Sequence, residues 1–289
     1  MMERRPLILV TNDDGIAATG LWAAVEAVLP LGEVLVVAPD RQWSGGGRSM
    51  PREVSGRVRS ACREVGGVRV SAHAVDASPA LAVVHGVMEF ATRTPSLVVS
   101  GVNHGANLGT EVTISGTVGA ALEAAAFGIP GLAVSQEMES AWHRTDEPIC
   151  DYTAAIEFTR RFARRLLEAP LPDDVDVLNL NLPRDATPET PWCLTRLSRR
   201  RYYVPLLPDR ERGEGRPGYR QIEDAEAAEE DSDVRAVKVE GQVSVTPLSL
   251  DLTSRAAFRG LAARLGLAAP TVLDPWARLL DHPEELLSV

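Results

Sequence analysis

The chain has 289 residues, 45% of them apolar and 24% charged, with 23 Gly and 20 Pro, a globular composition that excludes collagen-like, low-complexity and disordered classes. Thirty Lys and Arg against 40 Asp and Glu give a formal charge of −10, the wrong sign for a general nucleic-acid binder or for attachment to an anionic membrane. A phosphate-handling site in so acidic a chain needs help from a cation.

Pro6 to Thr11 is a continuous apolar run that stops at Asn12-Asp13-Asp14-Gly15, the pattern of a buried strand ending in a turn. Leu21 to Leu29 carries helical spacing, and Val34 to Ala38 reads as a second strand, followed by Pro39-Asp40 and the glycine-rich Ser44-Gly45-Gly46-Gly47. A hairpin is expected around Val54 to Ala74, a helix over Pro79 to Phe90, and a third buried strand over Leu97 to Ser100, ending at Gly101-Val102-Asn103. Gly116 to Phe127 reads as an Ala-rich helix and Gly131 to Ser135 as another strand. Such alternation predicts an α/β fold, doubly wound and mostly parallel, with helices on both faces.

Asp151 to Glu168 is strongly amphipathic and Val175 to Leu182 reads as a strand closed by Pro183. The order then changes: Cys193 to Val204 and Val234 to Thr246 alternate like the two strands of an antiparallel pair. Between them Asp209 to Asp233 is long and acidic, the character of a mobile loop or of a segment lying on a partner subunit. The tail from Ser254 has a helical pattern broken at Pro270 and Pro283. These shifts divide the chain into a core over 1–190, an antiparallel extension over 191–253 and a helical tail over 254–289. Cys62, Cys150 and Cys193 are odd in number and widely spaced, which fits a reducing cytoplasm and neither a disulfide framework nor a cysteine zinc site. The apolar run behind Arg4 and Arg5 is too short for a signal peptide or a membrane span.

In an open α/β sheet the carboxyl ends of the strands share one edge, so loops far apart in sequence meet in one crevice. Asn12-Asp13-Asp14-Gly15, Ser44 and the Ser100 to Asn107 segment each follow a predicted strand, so two carboxylates, a hydroxyl and an amide oxygen should converge. These are hard oxygen donors, suited to Mg²⁺ or Mn²⁺. Each cluster alone has a plainer reading: Asp-Asp as a turn and cap, Ser44 with its glycines as a flexible loop, Asn103 and Asn107 as turn formers. Their common edge favours a site. Thr113-Ile114-Ser115-Gly116-Thr117-Val118-Gly119 opens the Ala-rich helix, where unpaired N–H groups and the helix dipole suit a phosphate; alone, Ser115 or Thr117 would simply cap it. His104, beside Asn103, is a tempting general acid but is set aside as a packing residue.

These residues carry a resemblance. Val10 to Ile16, Ala38-Pro39-Asp40-Arg41 with Ser44-Gly45, Ser100-Gly101-Val102-Asn103 with Gly105, Asn107 and Gly109, Ser115 to Ala121, and Gly128-Ile129-Pro130 resemble the SurE family of metal-dependent nucleotidases, as do Asn179 to Pro183, Thr195-Arg196 and Val243 to Leu248. The matches run in order from about residue 7 to 253. The resemblance implies a SurE-like fold with a C-terminal antiparallel hairpin that reaches another subunit of a homodimer or homotetramer, falling here in Asp209 to Asp233. It also implies a 5′- or 3′-nucleotidase acting on nucleoside monophosphates, with one divalent cation per subunit held by Asp13, Asp14, Ser44 and Asn103. The catalytic set would be Asp13, Asp14 and Asn103, and the phosphate set Asn12, Ser115, Gly116 and Thr117. Two positions depart from the family's usual residues: Leu81 stands where an acid is common, and Ile114 where Tyr or His is common.

The expected chemistry is attack on phosphorus by a metal-held water or by Asp13 itself, with Ser115, Gly116 and Thr117 holding the non-bridging oxygens. Without a cation each carboxylate would repel a phosphate charge by about 4 kcal/mol near 4 Å at an effective dielectric of ~20. The rival from another class is a non-catalytic regulatory protein that binds a nucleotide or phosphosugar on the same edge. Arg196, Arg199, Arg200 and Arg201 with Tyr202 and Tyr203 form a basic aromatic patch. It reads either as a grip for a base or extra phosphates or, preferably, as a subunit contact whose arginines meet the acids of Glu223 to Asp233.

Overall fold

The computed structural model describes residues 4–138, 150–208, 210–211, 215 and 217–266. Strand β1 (Leu7–Thr11) is buried along its whole length. Its alternation sends Ile8 and Val10 into one apolar layer and Leu7 and Leu9 into another, so helices must cover both faces. On the first face lie α1 (Thr19–Val28) and α4 (Thr153–Glu168), joined through Leu21, Val25, Phe158 and Phe162. On the second lie α2 (Pro79–His85) and α3 (Gly116–Ala126), which contribute Ala82, Val83, Ala120 and Ala124.

The remaining strands are β2 (Glu33–Pro39), β3 (Val58–Val65), β4 (Val68–Val75), β5 (Leu97–His104), β6 (Gly131–Gln136), β7 (Val177–Leu182), β8 (Trp192–Leu194) and β11 (Val243–Leu248). The order across the nine-stranded sheet is β3-β4-β2-β1-β5-β6-β7-β11-β8. From β4 to β7 every neighbouring pair is parallel, so the predicted doubly wound core is present. Gly66 and Gly67 both have positive φ between β3 and β4, the conformation a two-residue hairpin turn demands. The helix expected over Pro79 to Phe90 is α-helical only to His85 and continues as one wider turn over Gly86–Phe90.

The C-terminal region differs from the expected strand pair. β9 (Tyr203–Leu206) pairs antiparallel with β10 (Gly218–Gln221) in a separate two-stranded sheet, so the hairpin spans the start of the acidic stretch. Asp233–Lys238 is helix α5, not strand: Val234 and Val237, three apart, are buried together, and the Ser232 hydroxyl caps the helix by accepting from the Arg235 N–H. The same alternating run satisfies both periods, and the cap decides. β11 pairs antiparallel with β7 and parallel with β8, so these segments extend the main sheet.

The described residues up to Leu250 form one unit; a second begins at Asp251 and contains α6 (Phe258–Arg264). Pro270 and Pro283 of the expected tail lie outside the described residues. No helix among the described residues is long and apolar enough to cross a membrane.

Candidate active site

At the carboxyl edge the turn after β1 is closed by Asn12, whose Nδ2 donates to the Gly15 carbonyl at 3.0 Å while its Oδ1 accepts from the Gly15 N–H at 3.2 Å. Both ends of this buried amide are therefore engaged in shaping the turn that carries Asp13 and Asp14. Asp13 is buried, and Asp14 keeps only 6% of its side chain exposed. The Trp43 N–H donates to the Asp13 carbonyl at 2.7 Å, which brings the Ser44 loop beside the turn. Ser44 itself is exposed. That loop is held on its far side by the Gly47 N–H, which donates to the Ile114 carbonyl at 2.9 Å, and by the Arg48 to Glu123 ion pair at 2.6 Å.

Helix α3 begins against Asp13. A Cβ at Gly116 would stand 2.7 Å from the Asp13 Cβ and 2.8 Å from its Oδ2, so only glycine lets the helix start approach this carboxylate. The Thr117 hydroxyl donates to Asp13 Oδ1 at 2.5 Å. Ser115 is the N-cap, its Oγ accepting from the Val118 N–H at 3.1 Å. The Thr117 proton is thus committed to Asp13, whereas the Ser115 hydroxyl, an acceptor in its cap, keeps its own proton to donate beside the first backbone N–H groups of the helix, those of Gly116 and Thr117.

β5 runs on through His104 instead of ending at Ser100, with its pairing to β6 shifted in register between Ser100 and Asn103. Asn103 consequently lies on a strand end. Its Nδ2 donates to the Gly105 carbonyl at 2.7 Å, which orients the amide. The next residue closes the gap to the first loop: the His104 N–H donates to Asp14 Oδ2 at 3.2 Å, and Gln42 Nε2 donates to Asp14 Oδ1 at 3.3 Å. Loops separated by 90 residues therefore meet at Asp14.

Electrostatically the pair is out of balance. Burial first, and the charge of Asp14 second, hold Asp13 well above the usual carboxylate range; burial likewise raises Asp14. Among the described residues no Arg or Lys pairs with either carboxylate; the nearest ring nitrogen, His104 Nδ1, is 3.9 Å from Asp14 Oδ2. Burial lowers His104 from its ordinary value, against the attraction of Asp13. Two adjacent buried carboxylates with only neutral donors suit a bound cation, and carboxylate oxygens are hard donors of the kind Mg²⁺ and Mn²⁺ prefer. Among the described residues no group of three or more His, Cys, Asp or Glu is placed to hold a metal ion.

Gln42 and Tyr152 touch the site without having been singled out for it, and His104, set aside from the catalytic set, does so too. Tyr152, at the N-cap of α4, hydrogen-bonds His104 Nε2 through its hydroxyl from 48 residues away, a contact for which no local motif exists. Asn107, Asn179 and Asn181 form a supporting network: Asn181 Oδ1 accepts from the Asn107 N–H at 2.7 Å, and the Asn107 carbonyl accepts from both the Asn179 and Asn181 amides. Leu81, half-buried, packs against the second apolar layer. Ile114 is 56% exposed beside the helix start.

The basic patch meets its acids within one chain. Arg196 pairs with Asp231 at 2.6 Å, the Arg199 N–H donates to Glu229, and Arg200 lies 3.9 Å from Asp224. Tyr202 is fully buried and its hydroxyl donates to Glu137 at 2.8 Å. Arg196 and Arg200 thus meet acids of the same chain, the described residues 217–233 include β10 and the start of α5, and Tyr202, fully buried, is not free to grip a base.

A parallel sheet that gathers buried carboxylates and a helix start at its carboxyl edge defines a phosphoryl-handling α/β protein. The family model described as "Survival protein SurE" matches residues 8–204. A relative from Thermococcus gammatolerans named "5′-nucleotidase SurE" is 43% identical over 260 residues, covering 88% of this chain and 94% of its own. One of the same name from Methanosarcina mazei is 41% identical over 260 residues, covering 88% and 95%. The crystal structure of the SurE protein from Aquifex aeolicus superimposes with a TM-score of 0.69 at 31% identity, covering 90% of this chain and all of that one. The chain belongs to the SurE family.

Proposed function

We propose that this protein is a 5′-nucleotidase, a phosphomonoesterase that converts nucleoside monophosphates to nucleoside and phosphate, with a divalent cation held by Asp13, Asp14, Ser44 and Asn103. The observation that carries the site assignment is the buried Asp13–Asp14 pair without a counter-charge, set against the first turn of α3. Mg²⁺ or Mn²⁺ bound there would neutralise the carboxylates, draw electron density from the phosphoryl oxygens and lower the cost of bringing a dianion to an acidic protein.

The chain's own residues do the rest. Thr117 holds Asp13 by its Oδ1, and Ser115 caps the helix whose next N–H groups, on Gly116 and Thr117, face outward to receive phosphate oxygens. Asn12 sets the turn, and the Asn103 amide, fixed by Gly105, offers its oxygen. Burial of the edge excludes bulk water and strengthens each of these dipoles. Residues 1–190 are read as the catalytic core and 191–253 as the extension through which copies associate as a homodimer or homotetramer in the cytoplasm.

The test is phosphate release from nucleoside 5′- and 3′-monophosphates, sugar phosphates and polyphosphate, each with Mg²⁺, Mn²⁺ and excess EDTA. Metal-dependent release from a nucleoside monophosphate is expected. Full turnover in EDTA would overturn the cation assignment, and nucleotide binding without any release would favour the regulatory binder.

A further inference from the structure

Resting on the cation-site reading above, we propose that Tyr152 is a positioning residue: it holds His104 in the tautomer whose Nδ1–H faces Asp14, and so sets the donors around that carboxylate. The contacts form a chain. The phenol lies against His104 Nε2, the two rings stack with centroids 6.0 Å apart, and the other ring nitrogen is 3.9 Å from Asp14 Oδ2. The main-chain N–H of the same histidine donates to that oxygen at 3.2 Å. His104 therefore meets Asp14 with its backbone while its ring is gripped from behind.

A phenol is a good donor, and a neutral imidazole has one donor nitrogen and one acceptor nitrogen. If the Tyr152 O–H donates to Nε2, the ring proton must sit on Nδ1, the nitrogen that faces Asp14. The surroundings allow this arrangement, because the Thr19 hydroxyl can donate to the phenol oxygen and leave the phenol's own proton for Nε2. Tyr152 is 8% exposed, and its hydroxyl lies 3.4 Å from Thr19 Oγ1, which opens α1. A Cβ at Gly20 would lie 2.0 Å from the Val102 carbonyl oxygen and 3.4 Å from the same phenol. The starts of α1 and α4 and the end of β5 thus close on this one oxygen. A partner that fixes the orientation and tautomer of a residue contacting a metal-binding carboxylate characteristically changes metal affinity or activity by about 10- to 100-fold when removed.

The experiment has two arms. Nitrogen-15 NMR of the metal-free protein, with the His104 signals assigned by their loss in His104→Ala, reads the tautomer. The Nδ1–H form is expected in the wild type and a shift toward Nε2–H in Tyr152→Phe; an Nε2–H ring in the wild type overturns the proposal. Calorimetric titration with Mn²⁺ reads the consequence: Tyr152→Phe should weaken binding by about 10-fold and add nothing further in a His104→Ala background. Unchanged affinity in Tyr152→Phe, or the same loss with and without His104, overturns it. A wild type that fails to bind Mn²⁺ at all would instead remove the cation-site reading, leaving the tautomer measurement to judge the Tyr152–His104 pair.

Discussion

The β1–β5–α3 edge and the β7–β11–α5 region both bury acids, and they treat them in opposite ways. In the second region each acid stands apart and is answered. Glu137 accepts from the Tyr202 hydroxyl and pairs with Lys238, the sole lysine of the chain. Asp233 accepts from the N–H groups of Gly109, Ser198 and Val234. At the first edge Asp13 and Asp14 adjoin each other and receive only neutral donors. Burying charge is tolerable when partners are built in, and unfavourable when they are not. The difference is one of spacing: at the first edge two buried carboxylates are adjacent, and in the second region they stand apart.

Removing one acid at the site should produce the largest effect. Asp13→Asn is expected to lower phosphate release by about 10³-fold or more and, in metal-free protein, to raise the midpoint of thermal unfolding, because a buried repulsive charge is gone. Retained activity, or a lower midpoint, would erase the contrast between the regions. Lys238→Ala should do the reverse: it leaves Glu137 buried with only the Tyr202 hydroxyl as partner, costing about 2–3 kcal/mol in urea unfolding with turnover per folded molecule preserved. A loss below 0.5 kcal/mol would show that this pair does not hold the region.

Asp233 sharpens the comparison through pH. Burial pushes its carboxyl up to about 6 in spite of three backbone donors. A raised folded pKa means that the native state binds more protons than the unfolded chain between the ordinary value of 3.8 and about 6, so the stabilisation is complete below that window and is lost as pH rises through 6. Asp233→Asn should flatten this decline, about 3 kcal/mol across the window; parallel wild-type and variant curves would contradict it. Arg196→Ala, which breaks an exposed pair with Asp231, should change stability by less than about 0.5 kcal/mol. A larger loss would mean that the surface acids of this region also carry the fold.

The same contrast explains what could be read from residues alone. The parallel core was legible because β1, β2, β5 and β6 are short apolar runs that end in polar turns, and strand order then forces Asp13, Ser44 and Asn103 toward one edge. The cap role of Ser115 follows from its place before a helix, whereas the Thr117 hydroxyl's bond to Asp13 depends on how closely Gly116 lets the helix approach. Tyr152 is invisible locally because its contact with His104 is made through the start of α4. In the C-terminal region Val234 to Val239 fits either period, so pattern could not separate helix from strand. Nor could it show that Arg196 and Arg200 find their acids within the same chain.

The central claim is that Asp13 and Asp14 are unbalanced because they hold a divalent cation. Titration of metal-stripped protein with Mn²⁺ tests it most directly. One ion is predicted to bind per chain, with binding abolished in Asp13→Asn; absence of binding in the wild type, or equal binding by the variant, would contradict it.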